Sequence, residues 1–279
     1  MQQTPTAATQ QFVIRISDSD LSFAMRDSGS TAIVFQPYAM KTGMSAAANL
    51  REAFRESEIL GRAGQRVTAL VDSKVMLVPI EDYQAEEAEE QYNFIYPKQE
   101  GVMVVGTVLP ALGSVAVHAV NKDINTVLSD NFDEVRIMPL MAQMWEFLMQ
   151  RSFGGTNKKV YAYFHDGMMD VCSFVRSRFR FCNTFRVADS HDALYFLLGV
   201  WKMIGAKAMT DDLFLLGKIP AREILTRDAK QFLRRVYYIN PVADFNRADF
   251  TQVENMPFDM MVAFGGNGIT MPSQGEEKQ

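Results

Sequence analysis

The sequence predicts an α/β protein in which one structural module occurs twice. Three observations carry this prediction. First, "FVIRISDSDLSFAMRDSGSTAIVFQPY", from Phe12, and "KVYAYFHDGMMDVCSFVRSRFRFCNTF", from Lys159, each read as three short strands separated by turn residues. Second, each is followed by a helix with a capping side chain at its start, Ser45 in one case and Asp189-Ser190 in the other. Third, each continues as strand, helix, strand and helix, so that Pro139 and Pro241 close corresponding strands. Strands reached through helical crossovers run parallel to their neighbours. Each copy should therefore form a mixed five-stranded sheet with helices on its faces.

In the first copy, Phe12, Ile14 and Ile16 alternate with Val13, Arg15 and Ser17, the period of a strand. Asp18-Ser19 and Asp27-Ser28-Gly29 supply turns. A helix is predicted from Ser45 to Leu60, with Ala46, Leu50, Ala53 and Phe54 on one side and Gly61 placed to end it. Two apolar runs follow, "RVTALVDS" and "KVMLVPI". The acidic "EDYQAEEAEEQYNFIYP" reads as a helix with carboxylates near its positive end, and its charges as a solvated face. "VAVHAV" at 115–120 reads as a strand, Lys122 to Ser129 as a helix, "VRIMP" as a strand and "LMAQMWEFLMQRS" as an amphipathic helix. "SFGGTN" marks the boundary between copies.

In the second copy, the helix from His191 to Ile204 is apolar almost all round and should be buried. "DLFLLGKIP" is a buried strand, Pro220 opens a helix to about Phe232, and "VYYINP" is a further strand. "MPFDMMVAFGG" reads as a short helix with Pro257 in its first turn, with a strand as the alternative. When "VAVHAV" is matched to "DLFLLG", the first copy carries an insertion between its helix and its fourth strand, at about 62–112. The predicted organisation is a flexible segment 1–10, a first lobe 11–155, a second lobe 156–266 and a disordered tail 267–279.

Composition narrows the function. Of 279 residues, 48% are apolar and 22% charged, which is enough apolar surface for real cores. A net charge of −5 argues against a general nucleic-acid binder, which must neutralise phosphates. No apolar run has the length of a membrane span, and the first residues have no signal-peptide pattern. Two cysteines imply a reducing compartment, so a cytoplasmic protein is expected.

The order of elements, together with the strand, glycine turn and proline of "DLFLLGKIPAREIL", resembles the actin-like ATPase fold. That fold is a duplicated ribonuclease H-like unit shared by actin, heat-shock chaperones and sugar kinases. The segment holding Pro79, Glu86, Glu87, Ala88, Tyr92 and Pro97 is similar to an extra subdomain of pilus-assembly and cell-division members. More narrowly, the chain resembles a bacterial domain-of-unknown-function family assigned this fold. The resemblance implies ATP and Mg²⁺ between the lobes, with one hairpin turn from each lobe on the phosphates and a Gly-Gly turn beside the adenine. Carried over, the nucleotide-binding positions are Asp18, Asp166, Gly167, Gly217 and Lys218.

Each turn departs from that pattern. The first keeps Asp18 but has no glycine. The second keeps Asp166-Gly167 but places Met168 and Met169 where small or hydroxyl residues are usual, and the pair is equally what a type I′ hairpin selects. In the third, Lys218 replaces the second glycine and would crowd a purine, though it could reach a phosphate or an acidic partner. The expectation is a degenerate nucleotide site in a non-catalytic scaffold or adaptor with a protein partner. The alternative is an ATP-binding or ATP-hydrolysing switch.

Other candidates read blandly. His165 and Asp166 should point to opposite faces, leaving a turn-facing polar histidine rather than a dyad. His118 reads as a satisfied strand histidine and His191 as a polar helix-start residue. Three histidines and two cysteines show no metal-ligand spacing, and no catalytic residue or metal is assigned. A two-residue turn at Ser177-Arg178 would set Cys172 opposite Asn183, and a shift by one would set it opposite Cys182; two free thiols are expected. Arg176, Arg178, Arg180 and Arg186 should share one face and Phe179, Phe181 and Phe185 the other, either as a solvated basic side or as a docking surface for an acidic partner or RNA.

Overall fold

The structure is a computed structural model that describes residues 10–26, 32–64, 66–176 and 178–265. The expected flexible start, the Asp27-Ser28-Gly29 turn and the expected disordered tail lie outside those residues, Gln10 excepted.

The first sheet begins with β1 (Gln11–Ile16), β2 (Leu21–Arg26) and β3 (Ile33–Tyr38), paired antiparallel. The helix that follows is α1 (Ala46–Glu56), capped by Ser45 Oγ, which accepts from the Ala48 amide. Ser57 takes an extended backbone and interrupts the expected single helix, and a short α2 (Glu58–Gly61) follows. β4 (Arg66–Val71) then lies parallel beside β1. The next elements leave the sheet: β5 (Val75–Pro79), α3 (Ala88–Ile95), β6 (Val102–Leu109) and β7 (Ser114–Asn121) form a separate three-stranded unit of order β5-β7-β6. α4 (Lys122–Asn131) returns the chain to β8 (Glu134–Pro139), parallel to β4, and α5 (Met141–Arg151) closes the lobe.

The second lobe repeats this plan without the extra unit. β9 (Lys158–His165), β10 (Met168–Val175) and β11 (Arg178–Arg186) are antiparallel. α6 (Ser190–Met203), β12 (Asp212–Gly217), α7 (Arg222–Ala229), β13 (Val236–Tyr238), a turn of helix α8 (Pro241–Asp244) and α9 (Phe258–Gly265) follow. The sheet orders are β3-β2-β1-β4-β8 and β11-β10-β9-β12-β13, with the same senses.

This topology corrects the expected insertion. β4, "RVTALV", is the fourth strand of the first lobe and the counterpart of β12, whereas "VAVHAV" belongs to the separate sheet as β7. The extra unit therefore sits after β4, between Asp72 and Asn121, rather than at 62–112. Apolar strands of similar length cannot be ranked as main-sheet or inserted by pattern alone; hydrogen-bond pairing decides. The helix expected from Pro220 also starts later, at Arg222, after Ala221 in a left-handed conformation (φ 41°).

Strand alternation divides the core into layers. Phe12, Ile14 and Ile16 pack outward with α1 and α4, and Val160, Ala162 and Phe164 pack outward with α6 and α7. Val13 of β1 and Tyr161 and Tyr163 of β9 face a shared central layer containing α5 and α9. The inserted sheet and α3 form a small core of their own around Ala88, Tyr92, Val115 and Val117. The functional consequence is positional: the inward-facing ends of β1 and β9 meet between the lobes.

Candidate functional site

The same alternation that sends Ile14 and Ile16 outward turns Arg15 inward. Its side chain is 1% exposed and ends among carboxylates from three other segments. Nε donates to both oxygens of Asp259 on α9, at 3.1 and 2.9 Å. Nη1 donates to Asp20 Oδ2 at 2.9 Å, and Nη2 donates to Asp166 Oδ2 at 2.6 Å. The guanidinium fork thus joins the turn of the first hairpin, the turn of the second hairpin and the last helix. Burial works against its charge, but Asp259, Tyr163 and Asp166 outweigh it and raise its pKa well above the ordinary value.

Neighbouring groups satisfy the remaining valences. Tyr163 Oη donates to Asp259 Oδ2 at 2.8 Å, and Ser22 Oγ donates to Asp20 Oδ2 at 3.0 Å. His165 is buried; Nε2 lies 2.6 Å from Asp170 Oδ2 and Nδ1 lies 3.2 Å from Asp166 Oδ2. Thr184 Oγ1 donates to the other Asp170 oxygen. Burial disfavours the imidazolium, yet its hydrogen bonds to Asp166 and Asp170 prevail and raise the His165 pKa to about 10. Asp166 moves the other way: burial would raise it, but His165 and Arg15 hold it well below the usual carboxylate range. Asp72, just past β4, has its pKa raised by burial first, with Asp170 and Asp166 adding to it.

Asp72, His165 and Asp166 bring potential ligand atoms within 4.8 Å of one another. The raised pKa favours an imidazolium that donates to Asp166 and to Asp170. A proton and a guanidinium hold these carboxylates together.

The expected nucleotide positions are distributed unevenly around this cluster. Asp18 is exposed in the first turn, and Asp20 is the carboxylate that enters the cleft. Asp166 and Gly167 have φ of 47° and 73°, the two positive values of a type I′ turn, and Asp166 points into the cluster. Because Asp166 lies in the turn and not in the strand, the alternation rule does not separate it from His165. The expected turn-facing histidine, pointing away from Asp166, is therefore corrected to a buried partner of Asp166 and Asp170. Gly217 has φ 84°, and a Cβ there would lie 2.3 Å from the Phe164 carbonyl oxygen and 2.7 Å from the Tyr163 ring. Its missing side chain accommodates β9. The Lys218 amide donates to the Phe164 carbonyl at 2.8 Å while its side chain is exposed.

Sequence reasoning missed Arg15 and Asp259. The available signal was one unlike charge in each of two apolar elements, "FVIRI" and "MPFDMMVAF". Of the other candidates, His118 is buried beside Thr107 Oγ1 at 3.2 Å, and burial lowers its pKa to about 4. A β-bulge between Ser173 and Phe174 sets Cys172 opposite Cys182, both as free thiols. Burial pushes the Cys182 thiol up to about 12, away from reactive thiolate. The bulge also splits the phenylalanines: Phe179 faces the central layer, whereas Phe181 and Phe185 face α6. The expectation of one phenylalanine face is corrected accordingly; Arg176, Arg178, Arg180 and Arg186 are exposed along the edge strand and its turn.

Residues 2–236 match the family described as "Protein of unknown function (DUF3822)". The chain belongs to this family. A solved Bacteroides thetaiotaomicron protein, described as having an actin-like ATPase fold and unknown function, is 26% identical over 86% of this chain and 95% of its own, with a TM-score of 0.76. A chain of the PilM–PilN type IV pilus biogenesis complex is 12% identical over 92% of this chain and 97% of its own, with a TM-score of 0.59. No match is found among curated proteins. This DUF3822 member therefore has the actin-like ATPase fold, with two mixed five-stranded sheets and a third small one. α9, which supplies Asp259, lies beyond the matched residues. Among the described residues, no helix is long and apolar enough to cross a membrane.

Proposed function

We propose that this protein is a nucleotide-independent scaffold or adaptor, working in the cytoplasm, in which the cleft of an actin-like fold is closed by its own side chains. One observation carries the reading: Arg15 directly joins the two hairpin turns between which the fold's relatives would hold phosphates. The guanidinium takes the place of the ligand's charge. Asp20, Asp166 and Asp259 pair with it, Asp170 and Asp72 lie beside His165, and among the described residues Arg15 and His165 are the cations paired with these carboxylates. Such a surface repels a triphosphate. Gly217, packed against β9, offers its open face to Tyr163 and Phe164 and not to a purine. A protein partner is the natural ligand class for a scaffold, and the PilM–PilN complex gives a relative of this fold with such a partner.

The alternative is an ATP-responsive switch, for which the retained Asp166-Gly167 turn is the supporting feature. Thermal unfolding with and without millimolar Mg-ATP separates the two. A ligand of the native state raises the melting temperature by mass action. The scaffold reading expects no shift; a saturable rise, lost in Asp166→Asn, would establish the switch instead.

A further inference from the structure

Resting on the scaffold reading, we propose that the outer face of α3 is a docking groove for a basic segment carrying bulky apolar residues. α3 has two faces. Ala88 and Tyr92 are buried in the small core, and Tyr92 and Tyr96 donate through their hydroxyls to the carbonyls of Lys74 and Val75. Those contacts tie the helix to the backbone at the start of β5. Glu87, Glu90, Gln91, Phe94 and Ile95 occupy that other face, spaced three and four apart. With Met76 of β5 they line an open groove of about 620 Å³.

The groove combines two features that call for one kind of partner. Phe94 is 92% exposed and Ile95 54%, side by side at the end of the helix. Single exposed apolar residues are ordinary, but an adjacent pair beside a groove and a half-buried methionine has the makings of an anchor site. The rim is acidic: from Glu81 to Glu90 the chain has six carboxylates and no Lys or Arg. Lys74, over the Tyr96 ring at 5.5 Å, and the exposed Lys98 are the nearby cations on flanking segments. An apolar floor with an anionic rim fits an amphipathic segment whose Leu, Ile or Phe side chains enter the groove and whose Lys or Arg side chains meet Glu87 and Glu90. An acidic segment or RNA would be repelled.

The probe is a fluorescein-labelled amphipathic peptide with Leu, Phe and Ile on one helical face and Lys on the other, followed by fluorescence anisotropy on the full chain. Binding should weaken about tenfold in Phe94→Ser and in the Glu87→Lys/Glu90→Lys pair, each of which alters exposed side chains. Glu58→Lys, an exposed reversal on α2, should leave it unchanged, and a peptide with Ser in place of its apolar residues should not bind. No binding, or binding equal in all variants, overturns the proposal. Self-association by sedimentation that is lost in Phe94→Ser, without peptide binding, would overturn it in favour of a second copy as occupant. The Mg-ATP melt reads the scaffold question separately, so failure of the peptide alone removes the docking groove and leaves the clamped cleft standing.

Discussion

The two lobes share a strand order and senses but differ in what they place at their meeting point. At the end of β1 the first lobe offers one cation, Arg15, with Asp20 and Ser22 behind it. At the end of β9 the second offers Tyr163, His165, Asp166 and Asp170. The fourth strands, β4 and β12, differ too: Ile16 pairs with Val71, whereas Phe164 pairs with Gly217. The common strand order sets the backbone, and the differing side chains set how the lobes meet. A symmetric pair of ends would set like charge against like; this pair is complementary.

Arg15 carries the largest share of the contact between the two turns. Arg15→Met strands three carboxylates and should cost about 3–5 kcal/mol in urea unfolding, as removal of one partner from a buried ionic cluster does. Arg15→Lys should recover only part of this, since one ammonium cannot reproduce a fork to three segments. Nearly wild-type stability for either would mean that the lobes do not depend on the clamp.

A pH titration tests the second lobe's contribution. The His165 pKa is raised from the ordinary 6.5 to about 10, so its contribution is complete below 6.5 and is lost as the pH rises toward 10. Stability should fall across that interval with a limiting slope of about 1.4 kcal/mol per pH unit. His165→Gln should be less stable at neutral pH and flatter over the same range.

Two smaller effects sharpen the contrast between lobes. Gly217→Val copies the first lobe's residue into the second; it should cost at least about 1–3 kcal/mol, because its φ of 84° and the Phe164 carbonyl both oppose a side chain. Thermal denaturation measures it, and a neutral outcome would show that β9 and β12 can part there. Asp18→Asn should change stability by less than about 0.5 kcal/mol, since the side chain is exposed; a larger loss would restore Asp18 to the cleft.

Local pattern was enough to place the three-strand units, β7, β8, β12, β13 and most of the helices in order, whereas β4 and β5 read only as apolar runs and β6 was not read as a strand. These follow from local causes: alternation in β1 and β9, the Ser45 and Asp189 caps, and a type I′ turn at Asp166-Gly167. It also marked an acidic α3 and an extra unit in the first lobe, although not its limits. Tertiary structure alone decided which apolar strand joins which sheet, because β4 and β7 have similar patterns and only hydrogen-bond pairing distinguishes them. It alone decided the cysteine register, through a bulge with no separate signature in composition. Above all it decided the cleft. Arg15 and Asp259 lie 244 positions apart in the chain, and the energy of a charge depends on what surrounds it in space. Periodicity carries the direction in which a side chain points; the partner it meets there is set by the folding of the rest.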